Sequence, residues 1–257
     1  LEQHFPRLTK SEQKLATYLL SNYDHAAFLN ATDLAERLEV SPATIVRFAR
    51  AVGFKSFPEL RRVLQEIFRH KNTPSTRLQH KLDDLKSGEG HILTKVVDME
   101  VQFLSEVPHD IKPAEFDRAV KLLMKGKRIF VFGTGPSRIL AELFELRLSR
   151  FGLTVIGLTA PGRDLLDRLI LVQRNDVILV TGFQRLTGEL VATIEHAHKL
   201  GCRTVFLTDV LGPSFKGKVD VILAARRGPV STFHSLTVPM AILNAIILAV
   251  ATERSEK

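Results

Sequence analysis

The chain has 257 residues, 45% of them hydrophobic and 25% charged, with a formal net charge of +8. That composition excludes a disordered or collagen-like chain and leaves room for one large domain or two ordinary ones. The basic balance favours anionic partners such as nucleic acid or phosphorylated ligands, and the single cysteine, Cys202, excludes an intramolecular disulfide and agrees with a reducing cytoplasm.

No signal-peptide pattern opens the sequence, so a cytoplasmic location is expected. Residues 1 to 70 read as short helices only. "TKSE" (Thr9–Glu12) has the form of a capping box, followed by Leu15, Leu19 and Leu20 at helical spacing. Thr32 before "DLAERL" reads as a second N-cap. Ser41–Pro42 supplies a third cap with proline at the first helical position, and "FPELRRVLQEIF" begins in the same way at Pro58.

Between Pro42 and Val52, Ile45, Phe48, Ala49 and Val52 form a buried stripe at i, i+3, i+4 and i+7. Ala43, Arg47 and Arg50 then share the opposite face, with Thr44 in the first turn. The preceding helix buries Leu34, Ala35 and Leu38, and the connection is short, which matches a helix-turn-helix. From Ser41 to Arg77 there are eight basic residues against two acidic ones.

Groove geometry gives these side chains their chemistry. The major groove admits one helix, whose first turns reach base edges. Arg47 can offer a bidentate fork to guanine, and Thr44 can meet a base or phosphate. The helix start at Ser41, Pro42 and Ala43 favours a phosphate through the helix dipole and the free amides of its first turn, Pro42 itself having none. Lys55, Ser56, Arg61 and Arg62 flank the groove as backbone contacts that position without specifying. The alternative for the same pattern is a small helical module with a solvated basic face.

From His70 to Gly90 the sequence is polar, punctuated by "KNTPSTR" and "KSGEG", and reads as a linker with partial helix around Leu78–Leu85. "HILTKVVDMEVQFLSEV" is an amphipathic helix with Ile92, Val96, Met99, Phe103 and Val107 on one side. Beyond Phe116 short β-branched runs recur as "KRIFVFG", "LTVIGLT", "DVILVTG", "RTVFLTD" and "VDVILAA", with helical stretches between the first four. This alternation predicts a parallel sheet covered on both faces. The apolar run Val238–Ala251 falls short of the roughly 20 residues that span a bilayer and contains Asn244, so it reads as a buried C-terminal helix and no membrane partner is expected.

"RIFVFGTGPSRILAELF" passes from a strand through Gly133, Thr134, Gly135 and Ser137 into a helix, an arrangement able to hold an anion against backbone amides. A purely structural glycine turn is the alternative. Dinucleotide binding is disfavoured because Arg138 stands where the third glycine belongs, and no acidic residue ends the second strand. His196 and His198 lie two apart on a helix and point in different directions. Neither a metal nor a cofactor is expected.

"LTKSEQKLATYLLSN" together with "TDLAERLEVSPATIVRFARAVGFKSFPELR" resembles the N-terminal domain of RpiR-family bacterial transcriptional regulators. The resemblance implies that Ser41 to Arg50 form the recognition helix. The glycine loop, with Phe116–Val250 around it, resembles the sugar isomerase (SIS) domain, the usual C-terminal partner in that family, which implies a phosphosugar site at the carboxyl ends of the strands. One departure stands out. Where the family's third strand ends in Ser-x-Ser-Gly-x-Thr, this chain reads "TGFQRLTGEL", with Gly182, Gln184 and Arg185 replacing Ser, Ser and Gly, and only Thr187 matching. Two hydroxyl donors are lost, while Arg185 gains the ability to fork onto a phosphate or carboxylate.

The sequence therefore implies a multi-domain chain. An all-α helix-turn-helix domain spans 1–72 and a linker spans 73–90. A three-layer α/β domain with a parallel, flavodoxin-like sheet of SIS type spans 91–257. The implied function is a transcriptional regulator, a repressor among the possibilities, that binds a double-stranded DNA operator and senses a small anionic metabolite, a phosphosugar or sugar acid. It would act as a homodimer or homotetramer. Gly133, Thr134, Gly135, Ser137, Gln184, Arg185, Thr187 and His234 are the expected ligand residues, and no catalytic residue is assigned. Two other readings remain. One is a phosphosugar isomerase with His234 as base, or Glu142, Glu145 or Glu189; the other is a DNA-binding protein whose α/β domain only dimerises.

Overall fold

The computed structural model describes residues 5, 8–71, 73–86, 89–228 and 234–255, and the chain divides into two compact units. One ends at Glu89; the other comprises Gly90–Gly228 and continues from His234. The punctuating residues at 72 and 87–88 lie outside the described residues.

The first unit is helical: α1 (Lys10–Ser21), α2 (Tyr23–Ala26), α3 (Ala31–Leu38), α4 (Pro42–Ala51), α5 (Phe57–Lys71) and α6 (Pro74–Lys86), the last inside the polar stretch. Each start has a local cause. Thr9 and Glu12 form the full capping box of α1. The cap of α3 is Asn30 rather than Thr32; its side chain accepts from the Asp33 amide, so the helix starts two residues earlier than expected. Asparagine is the stronger cap of the two, and the backbone follows it. Leu15, Leu19, Leu34, Ile45, Phe48, Leu60 and Phe68 fill the core, where Phe28 meets Phe68 edge to face at 5.2 Å.

The second unit begins with α7 (Ile92–Asp110) and α8 (Pro113–Lys125). It then alternates β1 (Ile129–Phe132), α9 (Arg138–Ser149), β2 (Val155–Leu158), α10 (Arg163–Leu169), β3 (Val177–Thr181), α11 (Gly188–Leu200) and β4 (Arg203–Thr208), and ends with β5 (Val221–Ala224) and α12 (Thr237–Ser255). All five strands are parallel in the order β2-β1-β3-β4-β5. Ile129 and Val131, Val177 and Leu179, and Val205 and Leu207 face a core with α8, α9 and α12. The opposite face carries Phe130, Phe132 and Phe206 beneath α10 and α11. Burial on both sides explains why the strands read as unbroken apolar runs rather than as alternation.

The C-terminal helix α12 is long and apolar enough to cross a membrane by composition, yet it buries Val238, Ile242, Leu243, Ile246, Ile247 and Val250 in this core. Helix α7 departs from its expected stripe. Phe103, Leu104 and Val107 lean on the core, but Ile92 is 61% exposed. Val96 and Met99 are half-buried, so only the first residue of the expected stripe runs past the covered surface.

Candidate DNA interface and ligand site

Leu38 and Pro42 are separated by a three-residue turn in which Glu39 takes a left-handed conformation, φ 55°. Lys14 on α1 donates to the Leu38 carbonyl at 2.8 Å, which ties down the C-terminal end of α3. Ser41 caps α4 through the Thr44 amide, and Pro42 occupies the first turn. Ile45, Phe48 and Ala49 are buried, and Val52 is covered at the cap position. The rest of the helix surface follows from that anchoring.

Ser41, Pro42, Ala43, Arg47 and Arg50 are all exposed, as is Lys55, while Ser56 and Arg61 are half-buried. Thr44 differs. It is only 8% exposed, and its hydroxyl lies 2.9 Å from Ser41 Oγ and accepts from an Arg47 terminal nitrogen at 3.5 Å. Position 44 falls at the margin of the buried stripe, so this threonine orients Arg47 instead of offering a free hydroxyl. Sequence reading also passed over Val46. It is exposed and shares a face with Ala43, Arg47 and Arg50, where an aliphatic group can meet a thymine methyl.

In the second unit the expected ligand residues gather at the carboxyl ends of β1 and β3. The strand order reverses between those two strands, the position where open α/β sheets take their ligands. Gly133 follows β1, and a Cβ there would sit 2.4 Å from the Ser137 carbonyl oxygen and 2.8 Å from Thr181 Oγ1, so only glycine fits. Gly135 has φ +57° with open space around it, a glycine required by backbone conformation instead. A 3-10 turn at Gly135–Ser137 leads into α9, and Ser137, mostly buried, makes no side-chain capping bond. Thr134 is half-buried. The two strand ends are joined by the buried Thr181 hydroxyl, which donates to the Phe132 carbonyl at 2.7 Å.

After β3 the chain turns sharply. Gln184 is left-handed at φ 58°, and the Arg185 amide donates back to the Phe183 carbonyl at 2.6 Å. Arg185 is exposed. Thr187 caps α11 by accepting from the Leu190 amide. Gln184 is buried, and its side-chain amide contacts His234 Nδ1.

Two residues here were not foreseen. Asp209, directly after β4, accepts from the Gln184 amide at 2.9 Å and the Val210 amide at 2.7 Å. Its other oxygen pairs with Arg227 at 2.7 Å, and the two side chains are 6% and 7% exposed. The Arg227 guanidinium stacks over the Phe183 ring at 4.1 Å, and its NH1 reaches the Ser235 carbonyl at 3.4 Å. A signal existed in an acid closing the apolar strand "RTVFLTD" and an arginine following "VILAA", but it has meaning only once β3, β4 and β5 are neighbours.

Among the described residues no group of His, Cys, Asp and Glu could hold a metal ion. Glu142 pairs with Arg138 on the surface of α9 at 2.6 Å.

Comparison with known proteins agrees with both units. Residues 1–71 match the family model "Helix-turn-helix domain, rpiR family", and residues 122–249 match the SIS domain. An HTH-type transcriptional regulator of Haemophilus influenzae is 30% identical over 225 residues, covering 85% of this chain and 76% of its own. HexR of Pseudomonas aeruginosa is 25% identical over 259 residues, covering 99% and 88%. Among solved structures, NanR of Vibrio vulnificus, determined with ManNAc-6P, shares the fold with a TM-score of 0.64 at 20% identity, covering 99% of this chain and 91% of its own. With both units matched, the chain belongs to the RpiR family of HTH-type transcriptional regulators, with an N-terminal helix-turn-helix and a C-terminal SIS domain.

Proposed function

We propose that α4 reads an operator through Ala43, Arg47 and Arg50, and that the SIS domain senses a small anionic metabolite, a phosphosugar or sugar acid, without turning it over. The observation that carries this reading is the outward face of α4. Its arginines are exposed; Arg47 makes a long contact with the Thr44 hydroxyl, and among the described residues no acidic side chain pairs with either. Ser41, Pro42, Lys55, Ser56 and Arg61 then contact phosphates around the groove. In the second unit, Gly133, Thr134, Gly135 and Ser137 form one side of the ligand site, and Gln184, Arg185, Thr187 and His234 form the other. NanR, with the same fold, holds a phosphosugar, which supports that ligand class here. A homodimer or larger assembly follows from the few base pairs that one such helix can read.

Selection of DNA fragments from a random pool, followed by thermal-shift measurements with sugar phosphates and sugar acids, tests both halves. Enrichment of one two-fold symmetric sequence and stabilisation by at least one compound are expected. Unselective DNA binding would end the operator reading. The catalytic alternative centres on His234; turnover of an aldose or ketose phosphate that is abolished in His234→Ala would establish an isomerase instead.

A further inference from the structure

We propose that Asp209 and Arg227 are positioning residues of the ligand site: this buried pair clamps the third-strand loop and leaves Arg185 as the loop's anion-binding group. The proposal rests on the ligand-site reading above and deepens it. A left-handed glutamine inside a tight i to i+2 turn is a strained backbone, and such turns persist only where the surroundings over-determine them. The surroundings here are specific. Asp209 takes the Gln184 amide, Arg227 covers the Phe183 ring, and His234 meets the Gln184 side chain. Successive residues of the loop are thereby held by three different elements.

The same contacts change which groups can bind an anion. The family pattern offers hydroxyls at positions 182 and 184; this chain has Gly182 and Gln184. Three of its loop amides are also engaged internally: Gly182 N on the Leu207 carbonyl at 3.2 Å, Gln184 N on Asp209, and Arg185 N on the Phe183 carbonyl. The Asp209 carboxylate thus lies where a ligand oxygen would otherwise receive an amide. A ligand that displaced it would strip two amide donors from a shielded, charged carboxylate, which is unfavourable. The clamp therefore stays, and the exposed guanidinium of Arg185 is the charged donor on the turn, suited to a planar carboxylate or a phosphate.

Two measurements on the full chain separate the clamp from the ligand. Hydrogen exchange over residues 181–187, without ligand, reads the clamp. Calorimetric binding of 6-phosphogluconate and glucose 6-phosphate reads the site. Asp209→Asn should raise exchange in that segment about tenfold or more, leave the central strands unchanged and weaken the probe that binds by about tenfold. Arg185→Ala should weaken the same probe and leave exchange as in the wild type, a division that a merely structural role for Asp209 would not give. If Asp209→Asn does not fold, Arg227→Lys, which keeps the buried charge but loses the fork, is read for the same direction. Wild-type exchange and affinity in these variants would overturn the clamp. If neither probe binds the wild type, the ligand reading and the role of Arg185 fall, while exchange still decides the clamp.

Discussion

Arg47 and Arg61 are both basic residues of the helical unit, but their settings predict different behaviour. Arg47 is exposed on the reading face and steadied by Thr44, so its fork is partly pre-oriented. Arg47→Ala should remove about 1–3 kcal/mol of discrimination at one base position and leave other positions intact. Arg61 lies on α5 and is half-buried, and Arg61→Ala should weaken all sequences alike and lower the salt slope by about one unit. Binding of both variants to a panel of single-base operator variants at two salt concentrations checks the contrast. Equal loss at every base in both variants would remove Arg47 from the reading face.

Cys202 shows a different residue-scale control. It is buried, its thiol donates to the Asp176 carbonyl at 3.1 Å, and its pKa is pushed up to about 12, by burial first and then by Asp176 and Asp220. Because the native pKa lies above the unfolded value of about 8.5, the native state keeps its proton where the unfolded chain loses it. Stability associated with this thiol is therefore intact below about pH 8.5 and declines as pH rises toward 12. At pH 8 an aromatic disulfide reagent should leave the native chain unlabelled and label one thiol per chain in urea. Fast labelling of the native chain would contradict the burial.

At the scale of elements, most of the fold was legible because its causes are local. Thr9, Ser41 and Pro42 announce helix starts by capping chemistry, and the five apolar runs announce strands that must be covered on both faces. The errors have local causes as well. Thr32 lost the cap of α3 to Asn30, a competition between two acceptable caps, and Ile92 continues the period of α7 beyond the surface on which that helix packs. Ser41 offers a test of the capping account, since its hydroxyl serves the Thr44 amide at 3.2 Å and meets the Thr44 hydroxyl. Ser41→Ala should cost about 1 kcal/mol in urea denaturation. It should also loosen Thr44, and with it Arg47, so operator affinity should fall further than stability alone predicts. A variant with native stability and native affinity would show that Pro42 suffices to start α4.

For the molecule as a whole, the glycine loop could be placed from sequence because glycine spacing is local, whereas Asp209 and Arg227 stand 18 positions apart and meet only through the sheet. Any coupling between ligand and operator would likewise be a property of an assembly and not of one local motif. Leu93, Val97 and Val101 form an outward aliphatic row on α7, consistent with a second copy packing there. In sedimentation the chain should run as a dimer or larger, and Val97→Glu combined with Val101→Glu should shift it toward monomer. If the sensed anion favours one arrangement of the two reading heads, operator affinity should change by about 5–150-fold on ligand addition, equivalent to about 1–3 kcal/mol. Linkage requires that operator DNA change ligand affinity by the same factor and in the same direction. A titration of ligand into the protein with and without a two-half-site fragment measures both sides of that equality. A ligand that binds with equal affinity in the two titrations would make the SIS domain a passive dimeriser, because a ligand indifferent to the two states shifts neither.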